Sequence, residues 1–166
     1  AERYDMSRTA IWKHVQKLME EGHEVTTVHK KGYVLVSSPD VLNEAALTPY
    51  LKTKAFGRKV IHLQETESTQ LIAHQLVHET PDGTVIIAES QTAGRGRMMR
   101  QWDSAKGKGI WTTIVLKPDV QPYQTPQFTL VAAVSVVNAI NKLYPSVDAK
   151  IKWPNDLLIN GKKCTG

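Results

Sequence analysis

The densest run of residues able to do chemistry is Gln91-Thr92-Ala93-Gly94-Arg95-Gly96-Arg97-Met98-Met99-Arg100-Gln101-Trp102. Two glycines (Gly94, Gly96) and three arginines (Arg95, Arg97, Arg100) fall within seven residues. Glycine lets the backbone come close to a ligand. Arginine offers a planar fork of donors to phosphate or carboxylate. Three cations that close repel one another, so an arriving anion would also order the loop. A solvated basic loop at a sheet end has the same composition. Trp102 could enclose an apolar ligand or anchor the loop. The run lacks the Gly-Lys-Ser/Thr of a Walker A loop, and it is not the dinucleotide fingerprint.

Two further stretches carry reactive groups. Lys152-Trp153-Pro154-Asn155-Asp156 precedes Lys163. Pro-Asn-Asp is turn chemistry in its own right, but Asn155 and Asp156 at a strand end could also hold a ligand or a metal-bound phosphate. Lys163 follows a turn and could reach an anion. Glu67-Ser68-Thr69-Gln70 opens a helix. Ser68 serves as its cap, and the same N-terminus suits a polar or anionic group. His74 and His78 share a helix face at metal-compatible spacing, but no third ligand is evident and no metal site is assigned. No Ser-His-Asp set is legible.

Positioning these groups requires elements, and most can be read from periodicity. Ser7 caps a helix whose apolar face is Ile11, Val15, Leu18 and Met19; Gly22 stops it. Its other face shows Arg8, Thr9, Lys13, Gln16 and Lys17. Strands are expected at 24–29 and 33–36, joined by the basic turn Lys30-Lys31-Gly32. A polar-basic helix followed by a hairpin with a basic tip is the pattern of a winged helix-turn-helix. It is equally the pattern of an amphipathic helix packed on a hairpin. A helix-turn-helix also needs a helix before the recognition helix, and only six residues precede Ser7. Ser37-Ser38-Pro39-Asp40 reads as a linker. Beyond it, helices are expected at 43–51, from Ser68 through Val77, and at 126–144, the last packing closely through Ala132, Ala133, Ser135 and Ala139. Strands are expected at 60–64, 84–89, 110–117, 149–153 and 157–160. This mixture implies a mixed sheet with helices on it.

Composition narrows the function classes. The chain has 166 residues and 18.5 kDa, with 41% hydrophobic and 22% charged residues. That allows a buried core and excludes a disordered tail. No apolar run reaches the ~20 residues of a membrane span, and Ala1–Asp5, with no apolar stretch behind a basic start, is not expected to be a signal peptide. Cys164 is the only cysteine, which excludes an internal disulfide and points to a cytoplasmic setting. The net charge is +5, but residues 1–37 carry six basic against five acidic groups, so no basic tail exists.

Together these segments resemble the bifunctional biotin protein ligases that also repress the biotin operon. The resemblance rests on Ser7-Arg8-Thr9-Ala10-Ile11-Trp12-Lys13-His14, Lys31-Gly32-Tyr33, Glu67-Ser68-Thr69, Gln91 through Arg97, Trp102 and Lys152 through Asp156. Each is weak alone; their order and spacing are specific. The resemblance implies an α+β chain. A partial winged helix (1–38) and a linker with a short helix (39–59) precede part of a mixed-sheet, class II synthetase-like ligase domain (60–166). It implies that biotin and Mg·ATP form biotinyl-5′-adenylate, and that a lysine of a biotin carboxyl carrier domain then takes the biotinyl group. Ser68, Thr69, Gln70 and Gln91 would hold the biotin rings. Gly94, Arg95, Gly96, Arg97 and Arg100 would wrap the carboxylate and phosphate. Arg97 and Lys163 would act in catalysis, with Trp102, Asn155 and Asp156 completing the site. Ser7, Arg8, Thr9, Lys13, His14, Lys30 and Lys31 would contact operator DNA. A cytoplasmic homodimer, with no membrane partner, fits a palindromic operator.

Some positions depart from the family pattern. Met98 and Met99 stand where the loop often has Arg-Gly, Gln70 replaces an asparagine, and Cys164-Thr165 replaces aliphatic residues. The family's domain usually continues past the position of Gly166, through further strands, a second covering loop and a small SH3-like domain. The 166-residue chain alone is therefore expected to have little ligase activity. A repressor that only senses biotin, and a lipoate ligase, are the competing readings. The Gly94–Arg97 loop and the Trp153–Asp156 segment favour biotin.

Overall fold

A computed structural model of the chain describes residues 5–96, 98 and 100–165. Helix α1 spans Arg8–Glu20 and is capped as expected, with the Ser7 hydroxyl accepting from the Ala10 N–H at 3.1 Å. Its far end closes in a Schellman arrangement. The His23 N–H donates to the Leu18 carbonyl, the Gly22 N–H donates to that of Met19, and Gly22 takes the left-handed φ of +91° that favours glycine. Val15 is the residue of α1 that is buried; Trp12, Leu18 and Met19 remain exposed. Strands β1 (Glu24–Val28) and β2 (Gly32–Ser37) form an antiparallel hairpin. Because β2 starts at Gly32, the turn is His29-Lys30-Lys31, with Lys30 at φ +61°.

Asn43 caps the short helix α2 (Glu44–Leu47), which runs into a 3-10 turn through Tyr50. The next sheet joins β3 (Val60–Leu63), β4 (Val85–Ala88) and β5 (Trp111–Ile114). The β3–β4 pair is parallel, crossing over through helix α3 (Thr69–Leu76), and β4–β5 is antiparallel. The core sits between α3 and this sheet. Ile86, Ala73 and Val115 are buried there, with Ile61, Leu63, Ile72 and Val77 packed around them. The sheet is therefore mixed, as expected.

A second sheet is separate from it. Strands β6 (Ala149–Lys152), β7 (Asp156–Ile159) and β8 (Lys162–Thr165) pair antiparallel. The single sheet expected from the sequence is thus two three-stranded sheets. A cleft of about 470 Å3 lies where they approach, lined by Ile114, Phe128, Ala132, Val136 and Leu157 among others. Strand β8 is not expected from the sequence, which marks only a turn at Gly161-Lys162; Lys-Lys-Cys-Thr has no apolar alternation.

Helix α4 (Pro126–Leu143) packs on β6 and β7. The close packing expected from its small residues holds for Ala133 alone. Ala132, Ser135 and Ala139 are exposed, as are Leu130, Val131, Val134 and Val136. No helix among the described residues is long and apolar enough to cross a membrane.

Candidate functional site

The site begins where β3 and β4 end. Past β4 the chain stays extended and bonded on both sides. Gln91 bridges to Thr66 on one flank and to Ser104 on the other. The Thr92 N–H donates to the Thr66 carbonyl and the Ala93 N–H to that of Glu67, each at 2.9 Å. The glycine–arginine loop is thus stitched to the segment that opens α3. That is why Gln91 meets Thr69, 22 residues earlier in the sequence, and lies close to its neighbour Ser68.

The Thr69 and Gln91 side chains form one network, with the Ser68 cap beside it. Ser68 and Thr69 are buried, and the Ser68 hydroxyl accepts from the Gln70 N–H at 3.3 Å. The Gln91 Oε1 accepts from the Thr69 N–H at 2.8 Å and from its hydroxyl at 3.1 Å. The Gln91 Nε2 donates to the Ser104 Oγ at 2.9 Å, and the Ser104 hydroxyl donates to the Trp102 carbonyl at 3.1 Å. Thr113 on β5 joins through its hydroxyl, 2.9 Å from that of Thr69.

The loop itself is a narrow hairpin. The Trp102 N–H donates to the Gly94 carbonyl at 2.8 Å and the Gly96 N–H to that of Arg100 at 2.7 Å; Arg95 and Gln101 bridge between them. Gly94 is obligatory in this geometry, because a Cβ there would lie 2.5 Å from the Trp102 carbonyl oxygen and 2.6 Å from the Ser104 Oγ. Arg95 and Arg100 are exposed, leaving their charge available to an anion. Arg97 lies outside the described residues.

The second sheet supplies the other cation. Lys163 on β8 donates to Asp156 Oδ1 at 2.7 Å, and its Nζ stands 5.1 Å from the Trp102 ring centroid. Trp102 is therefore a cation–π partner as well as a loop residue. Gln70 and Asn155 line the cleft between the sheets rather than joining the Gln91 network. His74 and His78 are both exposed, and no group of three or more metal-ligating residues occurs among the described residues. Ser7, Arg8, Thr9, Lys13, His14, Lys30 and Lys31 are all exposed on α1, at its cap and in the hairpin turn.

Sequence reasoning missed Ser104 and Thr113. A lone serine and a lone threonine carry no pattern, and only the fold shows that they end the chain of bonds through Gln91 and Thr69. It also missed the His62–Glu89 pair, whose side chains meet at 2.6 Å, half-buried, across β3 and the end of β4.

The fold is an α+β domain in which the glycine–arginine loop and Lys163 meet at Trp102, preceded by a helix-and-hairpin module. Residues 1–34 match a helix-turn-helix domain family, and residues 60–166, more than half of the chain, match the biotin/lipoate A/B protein ligase family. The chain belongs to the biotin/lipoate A/B protein ligase family. It is 48% identical to the bifunctional ligase/repressor BirA of Bacillus spizizenii over 161 residues, which cover 96% of this chain and 49% of that protein. Identity to the Escherichia coli protein of the same name is 33% over 165 residues, covering 99% and 50% of the two chains. The structure is similar to that of biotin protein ligase from Aquifex aeolicus in complex with biotin and ATP. The TM-score is 0.55 at 34% identity, over 64% of this chain and 44% of that one. The Leishmania major ligase in complex with biotinyl-5-AMP gives 0.54 at 25% identity, over 63% and 49% of the two chains. The chain spans about half the length of the curated relatives it matches.

Proposed function

We propose that these residues form the biotin-activating part of a biotin protein ligase that is also a biotin-responsive repressor. The observation that carries this reading is the convergence of the part-buried Thr69–Gln91–Ser104 network, the exposed Arg95 and Arg100 of the loop, and Lys163 around Trp102. One end of the site is built of fixed, neutral hydrogen-bonding groups suited to a polar ring. The other is cationic and suited to a carboxylate and a phosphate.

The chemistry follows from that polarity. The biotin carboxylate attacks the α-phosphorus of ATP. A carboxyl O–P bond forms and the bond to pyrophosphate breaks, giving biotinyl-5′-adenylate. Two anions must approach each other, so donors are needed where negative charge gathers. Arg95, Arg97, Arg100 and Lys163 would supply them, with Arg97 and Lys163 nearest the reacting atoms. A lysine amine of a biotin carboxyl carrier domain then attacks the mixed anhydride, leaving an amide and AMP. Ser68, Thr69, Gln70 and Gln91 hold the biotin rings in this reading. Gly94 and Gly96 let the loop close on the adenylate, Trp102 encloses it, and Asn155 borders it. Mg2+ would accompany the ATP phosphates, which can share it with one carboxylate. Asp156 already holds Lys163 at 2.7 Å, which favours a role in orienting that lysine.

The N-terminal module would read operator DNA through Ser7, Arg8, Thr9, Lys13 and His14 of the cap and helix, with Lys30 and Lys31 against the backbone. A homodimer fits a palindromic site, and a cytoplasmic location fits both partners. The domain limits 1–38, 39–59 and 60–166 belong to the same reading. Calorimetric titration of the full-length protein with biotin and with lipoate tests it. Saturable biotin binding that lipoate does not match is the expected result, and tighter lipoate binding overturns it.

A further inference from the structure

The hydrogen atoms of the Gln91 amide and of Ser104 follow from their partners. A backbone N–H only donates, so the Gln91 side-chain atom 2.8 Å from the Thr69 nitrogen is its oxygen. The opposite atom is then the amide nitrogen, which also only donates, so the Ser104 Oγ at 2.9 Å must accept. The one proton of Ser104 goes to the Trp102 carbonyl, a group that can only accept. The Gln91 oxygen is already occupied by the Thr69 N–H and lies 3.1 Å from the Thr69 hydroxyl. What Gln91 can still offer a ligand is the second hydrogen of Nε2.

We propose that Ser104 is a positioning residue that clamps the Gln91 amide, so that Gln91 meets the bound ligand as a donor and the site selects a ring with an acceptor atom there. Ser104 suits this role. It is 3% exposed, it reaches Gln91 from the strand-like segment after the loop, and its own proton is fixed by a backbone carbonyl. Its place against Gly94 leaves no room for the clamp to shift, since even a methyl on Gly94 would come within 2.6 Å of the Ser104 Oγ. Thr69 fixes the oxygen end of the amide and Ser104 fixes the nitrogen end; only with both is the free N–H aimed.

The proposal rests on the reading that Gln91 lies against biotin, and its test separates the two. In the full-length protein, Ser104→Ala should weaken biotin binding about tenfold, the effect of losing one hydrogen-bond anchor. In a Gln91→Ala background the same change should alter affinity by less than about twofold, because a residue acting through another has nothing left to act on. ATP affinity should stay the same in both. An equal loss in the two backgrounds, or biotin affinity unchanged in Ser104→Ala, overturns the proposal. A second measurement needs neither ligand nor variant. In the NMR spectrum of the unliganded protein, one Gln91 Nε2 hydrogen should exchange with water much more slowly than its twin. Two hydrogens exchanging alike overturn the clamp. A protein that binds no biotin at all overturns the functional reading instead, and leaves the exchange result to judge the clamp.

Discussion

Replacing Gly94 by alanine should damage the site far more than the same change two residues on. The added Cβ of Gly94→Ala would sit 2.5 Å from the Trp102 carbonyl oxygen, 2.6 Å from the Ser104 Oγ and 3.2 Å from the Gln91 Nε2. Carbon and oxygen ordinarily approach to about 3.3–3.6 Å, so the two sides of the loop must part by roughly 1 Å. The Trp102 N–H to Gly94 bond, now 2.8 Å, would then stretch beyond hydrogen-bonding range. Losing that bond costs about 1 kcal/mol, and forcing a side chain into filled space costs about 1–3 kcal/mol. Because the disturbed atoms are those that hold Gln91, most of this should appear as lost ligand affinity, on the order of 30- to 1000-fold. Gly96→Ala is the internal comparison. Its Cβ would meet the Arg100 carbonyl oxygen at 3.5 Å, an ordinary contact, so the unliganded protein should melt within about 1 °C of the unmodified one. Calorimetric titration with biotin, paired with thermal melts of both unliganded variants, reads the difference. Gly94→Ala that binds biotin within threefold of the unmodified protein would refute the reasoning.

Four other substitutions separate the parts of the molecule. Lys163→Ala removes the cation that stands over Trp102 and should slow biotin-dependent ATP–pyrophosphate exchange about 100-fold, with a smaller loss of biotin affinity, measured by isotope exchange. Arg8→Ala and Lys13→Ala should each weaken binding to a palindromic operator and lower its salt slope by about one, while biotin affinity stays constant. A gel shift at several salt concentrations reads the first effect and calorimetry the second. Ile86→Ala empties a fully buried position in the α3-covered core and should lower stability by about 2–5 kcal/mol, measured by denaturant unfolding.

Local chemistry made much of the fold readable in advance. Ser7 and Gly22 mark the ends of α1 because capping and left-handed backbone are decided within a few residues. Asn43, Ser68 and the β-branched run at β4 are readable for the same reason. What escaped prediction depends on distance along the chain. β8 has no apolar alternation and forms because β7 offers it an edge. The small residues of α4 suggested close packing, yet one of the four is buried, since packing depends on what lies opposite. The site divides the same way. Gln91, Thr69, Trp102 and Lys163 stand in recognisable segments, and the structure brings all four together around the loop. Ser104 and Thr113 are single hydroxyls whose part follows from pairings 13 and 44 residues apart.

Isotope exchange between pyrophosphate and ATP tests the central claim most directly, because it reports adenylate formation without a carrier domain or DNA. The full-length protein should catalyse exchange that requires biotin and that lipoate does not support. Exchange supported by lipoate and not by biotin, or by neither acid, would contradict the account.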